Sequence, residues 1–151
     1  MKTCGNPCTP LVTVGDYVKK GQKIGDGEGL CVPVHASVSG KVTAVEPRRH
    51  PNGKQILSVV IENDFKDEFD SSMTAYEDYS KLSDDEIIEI IREAGIVGMG
   101  GAGFPTHVKL SPKEPDKIDY VIANCAECEP YLTSDYRRMI EEPHKLVEGL
   151  K

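Results

Sequence analysis

Residues 95–109 read GIVGMGGAGFPTHVK, with glycines at 98, 100 and 103 in a literal G-x-G-x-x-G. Five of the six positions from Gly98 to Gly103 are Gly or Ala. Glycine loses more backbone entropy on folding than any other residue, so such a run marks a place where something approaches the main chain closely. Successive exposed N–H groups can form an anion-binding nest. Lys109 adds a cation near the loop, and Pro105 stiffens its exit. This chemistry suits a phosphate-bearing ligand; the alternative is a tight structural turn. Two nucleotide motifs fail on context. A Rossmann fingerprint follows a strand and opens a helix, whereas this loop follows a helical pattern. It also lacks the G-K-[ST] ending of a Walker loop.

A second group of polar residues follows the apolar run IDYVIA. Ile118–Ala123 reads as a buried strand ending at Asn124, with Glu127 and Glu129 alternating just beyond it. Ligands of open α/β sheets tend to sit at such strand ends; an exposed loop is the plainer alternative. The five cysteines include two close pairs, Cys4-x3-Cys8 and Cys125-x2-Cys128. Neither belongs to a four-cysteine cluster motif, and zinc would need four ligands. A redox-active C-x2-C needs a helix N-terminus to lower a thiol pKa, which the sequence around Cys125 does not offer. An odd count without a secretory signal predicts reduced thiols used as small packing residues.

The elements that must position these groups come in two kinds. Up to residue 61 the chain alternates short apolar runs with glycine turns: Leu11–Val14, a strand after the turn at Gly15-Asp16, Cys31–Val34, Lys41–Glu46 and Ile56–Ile61. Asn52-Gly53 suits a tight hairpin between the last two, and the spacing predicts a small all-β sandwich or barrel. An acidic linker is expected over 65–81. SDDEIIEIIREAG then predicts a helix with a Ser83/Glu86 capping box, acidic residues at the positive end of its dipole and Gly95 as its stop. After a polar loop (111–117) and the IDYVIA run, short helices are expected from Thr133 or Ser134 and from His144. The boundaries so drawn are 1–64, 65–81 and 82–151, an α+β or α/β two-part chain. Its last element looks cut off, as in a fragment.

The chain has 151 residues, no Trp and a formal charge of −7. That charge argues against nucleic acid, which needs a basic face. Residues 62–93 carry twelve acidic and three basic side chains, a local −9. A solvated linker and helix face account for it most simply; an acidic docking surface is the other reading. No stretch approaches the roughly 20 apolar residues of a membrane span, and MKTCGNPCTP lacks the apolar core of a signal peptide. A cytoplasmic protein without a transmembrane segment is expected.

The pattern V-x-x-G-D-x-V-x-x-G-Q-x-I followed by S-G-K-V resembles the biotinyl/lipoyl carrier fold, a barrel-sandwich hybrid. Carriers bear a modified lysine at a hairpin tip; here the stretch Gly25–Val34 (GDGEGLCVPV) has none. His35 is read as a hydrogen-bonded residue rather than a ligand. Further on, GMGGAGFPTHVK with NCAECEPYLTSDYRRM resembles the RnfC family, which belongs to the Rnf electron-transport complex. The glycine loop is also similar to that of the NADH- and flavin-binding subunit of respiratory complex I. The resemblance implies a barrel-sandwich hybrid followed by the beginning of an α/β flavin/NADH-binding domain. It implies FMN and NAD(H) as cofactors, with 4Fe–4S clusters only beyond Lys151. Gly98, Gly100, Gly101 and Gly103 would approach FMN, Ala102 and Phe104 would face the nicotinamide nucleotide, and Lys109 would lie near the flavin. Asn124 and Glu127 would contact FMN, and Glu129 would lie on the NADH side. Ala126 stands where the complex I motif N-A-D-E-G-E-P has its Asp, which removes one polar flavin contact.

The implied activity is electron transfer between NAD(H) and iron–sulfur clusters, coupled to ferredoxin and ion translocation. Partners would be the other subunits of a membrane complex, which hold the chain at the membrane periphery. Three other readings stand beside it: a soluble reductase of the same family serving cobalamin or proline reduction, a non-catalytic docking module, and a carrier domain, the last disfavoured by the missing lysine.

Overall fold

The computed structural model describes residues 6–73, 75, 78–99 and 103–151. The chain divides into two compact units, Met1–Pro112 and Lys113–Lys151.

The first unit begins with six strands: β1 (Thr9–Pro10), β2 (Tyr17–Val18), β3 (Lys23–Asp26), β4 (Val34–His35), β5 (Gly40–Arg49) and β6 (Gln55–Asn63). They form two antiparallel three-stranded sheets, ordered β1-β3-β4 and β2-β5-β6. Val12, Val18, Ile24, Ala36 and Val42 form one buried cluster, with Val34, Val45, Val59 and Ile61 packed against it. Both sheets supply it, so neither apolar face is left to solvent. Period-2 alternation on β5 buries Gly40 and Val42 and exposes Lys41 and Thr43. Past Thr43 the register shifts at a bulge, and the rest of the hairpin runs out to a turn. There Gly53 adopts φ +82°, and the Lys54 N–H donates to Asn52 Oδ1 at 3.0 Å.

Two strand expectations need correction. Leu11–Val14 is not a strand, because the Thr13 N–H donates to Asp16 Oδ2 at 2.7 Å and draws the chain into a turn early. Pairing falls instead on Thr9–Pro10. Only Val34 of the Cys31–Val34 run belongs to a strand.

The first residues of the acidic stretch are held against this β module. The Lys20 N–H donates to the Glu68 carbonyl and the Asp70 N–H to the Lys20 carbonyl, at 2.8 and 2.9 Å. Lys19 pairs with Glu68 at 2.7 Å, and Lys20 with Asp67 at 2.9 Å. Part of the local negative charge is therefore met by lysines of the module itself.

Asp64 accepts from Tyr17 Oη at 2.5 Å and from Ser39 Oγ at 2.7 Å. The Tyr17 hydroxyl, then Ser39 and the Lys66 N–H, hold its carboxyl down at about 2. A carboxyl whose folded pKa lies below its unfolded value stabilises the fold fully above about pH 4 and loses that contribution as pH falls towards 2. Asp64→Asn is expected to melt below the parent at pH 7, with the gap closing at pH 2; circular-dichroism melts at the two pH values test this.

Helix α1 (Asp84–Glu93) starts with the full capping box: Ser83 Oγ accepts from the Glu86 N–H, and the Glu86 side chain accepts from the Ser83 N–H. Its isoleucines are half-buried. At its far end Lys23 bonds both Glu93 and Asp26, and Arg92 reaches Asp26 at 3.4 Å. A cleft of about 1060 Å³ between α1 and the β module is lined by Lys23, His35, Met73, Glu86, Glu89 and Glu93 among others. Helix α2 (Thr106–Lys109) follows the glycine loop.

The second unit holds a single 3-10 turn at Pro115–Lys117, helix α3 (Ser134–Glu141) and helix α4 (Pro143–Glu148). The expected buried strand Ile118–Ala123 is corrected here. These residues belong to no strand, and Tyr120, Val121 and Ile122 are 84, 76 and 84% exposed. An apolar run of this kind becomes a buried strand only between partner strands, and among the described residues of this unit there is no other strand to pair with it. No helix among the described residues is long and apolar enough to cross a membrane.

Candidate functional site

The glycine loop is closed at its neck by main-chain bonds. Val97 bridges Pro105 in antiparallel fashion. The Gly98 N–H donates to the Phe104 carbonyl at 2.8 Å, and the Thr106 N–H to the Ile96 carbonyl at 3.1 Å. Pro105 is fully buried and anchors the exit. Residues 99–103 are thereby presented as a projecting loop. Gly100, Gly101 and Ala102 lie outside the described residues. Gly103 has φ +62°, a conformation that only glycine adopts cheaply. Phe104 is 37% exposed, Met99 is 92% exposed, and Lys109 is exposed on α2.

Gly98 differs from glycines that the fold itself requires. Its φ is not in the left-handed region, and a Cβ there would meet nothing closer than the Phe104 carbonyl oxygen at 3.7 Å. The chain's own atoms would accept alanine at this position. Glycine here leaves bare main chain beside open space, as a closely approaching ligand would need.

His107, on α2, did not emerge from the sequence. Its Nδ1 is buried without a hydrogen-bond partner. A buried polar atom left unpaired costs about 1–3 kcal/mol, so a ligand atom that bonded it would recover that cost. A lone histidine in PTHVK gives no periodic or spacing signal that would have exposed it.

Asn124, Glu127 and Glu129 belong to the second unit. Asn124 Oδ1 accepts from the Ala126 N–H at 3.0 Å, a local turn. Glu127 Oε2 accepts from the Asp135 N–H at 2.9 Å, and its Oε1 from Ser134 Oγ at 3.2 Å. A carboxylate from outside the helix thus satisfies an N–H at the start of α3, while the Thr133 side chain makes no capping bond. Glu129 is exposed, and its carbonyl accepts from the Leu132 N–H at 3.3 Å. Cys125 is half-buried and Cys128 exposed. His35 lies beside Gly95, where a Cβ would stand 3.3 Å from its Nδ1. Among the described residues no three His, Cys, Asp or Glu side chains converge as a metal site.

A two-sheet β module followed by a capped helix and a glycine loop defines the class of protein, and comparison with known families agrees. Residues 1–66 match the RnfC barrel sandwich hybrid domain, and residues 91–151 match the Nuo51 FMN-binding domain. The chain belongs to the RnfC family. Over 148 residues, 97% of its length, it is 51% identical to the RnfC subunit of the Na(+)-translocating ferredoxin:NAD(+) oxidoreductase complex of Acetobacterium woodii. Over the same share it is 47% identical to the RnfC subunit of the proton-translocating ferredoxin:NAD(+) oxidoreductase complex of Clostridium ljungdahlii. The chain spans about a third of the length of these relatives, 33 and 32%.

Proposed function

We propose that this chain is the flavin-binding front of an RnfC subunit, serving electron transfer between NAD(H) and ferredoxin within a membrane-associated complex. The observation that carries this reading is Gly98, a glycine that its own fold does not require, at the neck of a loop matched by an FMN-binding domain. FMN held here would supply the conversion between two-electron exchange with NAD(H) and one-electron transfer to iron–sulfur carriers.

The protein's part is binding and orientation. Gly98, Gly100, Gly101 and Gly103 keep the main chain bare for the flavin phosphate and ribityl. Ala102 and Phe104 form the face towards the nicotinamide nucleotide. Lys109 offsets phosphate charge, and the orphaned His107 Nδ1 gains a partner. Asn124 and Glu127 add flavin contacts, and Glu129 lies on the NADH side. Glu127 already holds the start of α3, so a flavin contact would share that carboxylate. The 4Fe–4S clusters belong to parts of the subunit other than these residues, and the other subunits of the complex provide the attachment to the membrane. The two relatives differ in the ion their names give, so the coupling ion is assigned to neither.

FMN titration followed by flavin fluorescence tests this, on the chain and on the chain extended to the length of its relatives. The parent should bind saturably. Gly98→Ala, whose Cβ the fold accommodates, should weaken binding at least tenfold while leaving the melting temperature unchanged. Equal affinity in parent and variant, or an extended chain that takes up no flavin, would overturn the assignment.

A further inference from the structure

Sequence spacing pairs Cys8 with Cys4, four residues away. The fold pairs it with Cys31 instead, 23 residues away. The two Sγ atoms lie 2.9 Å apart, and Cys8 Sγ also donates to the Val32 carbonyl at 3.1 Å. Moving two sulfurs from 2.9 Å to the roughly 2.05 Å of a disulfide takes less than about 1 Å.

The surroundings hold the pair in register. The Asn6 N–H donates to the Leu30 carbonyl at 2.8 Å, the Leu11 N–H to the Ile24 carbonyl at 2.9 Å, and the Asn6 side chain to the Glu28 carbonyl at 3.2 Å. Thr9 and Pro10 pair with Asp26 and Gly25. Residues 6–11 are therefore stitched along residues 24–30 on both sides of Cys8. Two glycines make the room: a Cβ on Gly27 would stand 3.0 Å from Cys31 Sγ, and one on Gly25 would stand 3.5 Å from Cys8 Cβ. Cys31 is fully buried and Cys8 half-buried, so a reagent from solvent meets Cys8 first.

We propose that Cys8 and Cys31 form a reversible dithiol–disulfide couple on the β module, with low-molecular-weight disulfides such as oxidised glutathione as the oxidant. The Cys8 thiolate attacks one glutathione sulfur, forming a mixed disulfide and releasing one glutathione thiolate. The Cys31 thiolate then attacks Cys8 Sγ, forming the intramolecular disulfide and releasing the second glutathione. The protein loses two electrons and two protons, and the oxidant is reduced to two thiols. Burial, then the hydrogen bond with Cys31, pushes the Cys8 thiol up to about 12, so the pair rests as a dithiol at neutral pH and exchanges slowly. Oxidation clasps the N-terminal segment onto the β3–β4 loop, the stretch where carrier domains of similar sequence pattern bear their lysine.

The test equilibrates the chain in glutathione buffers of graded ratio, quenches with acid, alkylates under denaturing conditions and maps peptides by mass spectrometry. A Cys8–Cys31 linked peptide should appear as the buffer becomes oxidising and vanish on return to reduced glutathione. The oxidised form should melt several degrees higher, because the link constrains the unfolded chain. Cys8→Ser, at a half-buried site, should fold and leave Cys31 alkylated throughout. Cys125→Ser/Cys128→Ser should keep the couple. The proposal is overturned if Cys8 and Cys31 stay free in oxidised glutathione alone. Linkage of Cys8 to Cys4 or to Cys125, or a glutathione adduct on Cys8 that never resolves, overturns it equally.

Discussion

Gly40→Ala is expected to unfold most of the population of this chain. Gly40 sits where three strands meet, opposite Val18 of β2 and Asn63 of β6. Its φ is +150°, and a Cβ there would stand 1.9 Å from the Glu62 carbonyl oxygen and 2.9 Å from the Glu62 carbonyl carbon. No rotamer relieves that overlap, because both atoms are main chain within the β5–β6 pairing. The strands must separate at the start of their longest pairing, beside the buried Val18 and Val42. Backbone strain alone costs about 1–3 kcal/mol, and the loss of ladder bonds and packing carries the total past about 4 kcal/mol. That is most of the margin of a small domain. Gly53→Ala is the control: its φ is +82°, yet nothing lies within 4 Å of its Cβ position. It should cost only the conformational part, about 1–2 kcal/mol. Urea denaturation of the two variants separates steric overlap from strain, and equal midpoints would contradict the placement of β6.

Local chemistry made several elements legible in the sequence. The Ser83/Glu86 capping box and the Gly95 stop define α1 because their signals lie within a turn of the residues they act on. The β5–β6 hairpin was legible for the same reason, since Asn52-Gly53 sits between two β-branched runs. Features set by partners distant in sequence were not legible. Thr9–Pro10 displaces Leu11–Val14 as the paired segment because the carboxylate of Asp16 takes the Thr13 N–H. Cys8 meets Cys31 because two glycines clear the space, which no cysteine spacing encodes. Ile118–Ala123 has the composition of a buried strand, but composition cannot supply the neighbouring strands that would bury it. At the candidate site, the glycine run declared a bare main chain. The orphaned His107 Nδ1 and the capping role of Glu127 depend on burial and on contacts eight residues apart, and neither leaves a motif.

Gly95→Ala is expected to loosen α1 and, with it, the base of the glycine loop. Gly95 has φ +69°, and a Cβ there would stand 2.7 Å from the Pro33 carbonyl oxygen, a main-chain atom of the β module. The conformational part costs about 1–2 kcal/mol. The contact adds to it unless α1 lifts away from Pro33, and lifting breaks the Arg92–Asp26 and Lys23–Glu93 pairs that hold the end of the helix. A total of about 2–4 kcal/mol follows, below the effect at Gly40 because one helix end can move while the sheets stay paired. The loop is affected because Ile96 and Val97, the next two residues, form its neck with Thr106 and Pro105. Gly95→Ala should therefore weaken FMN binding together with stability, whereas Gly98→Ala should weaken binding alone. Amide hydrogen exchange distinguishes the two: the Ile96, Gly98 and Thr106 amides should lose protection in Gly95→Ala, while β5 and β6 keep theirs. Unchanged protection at the neck would mean that the loop is held by α2 and Pro105 without help from the β module.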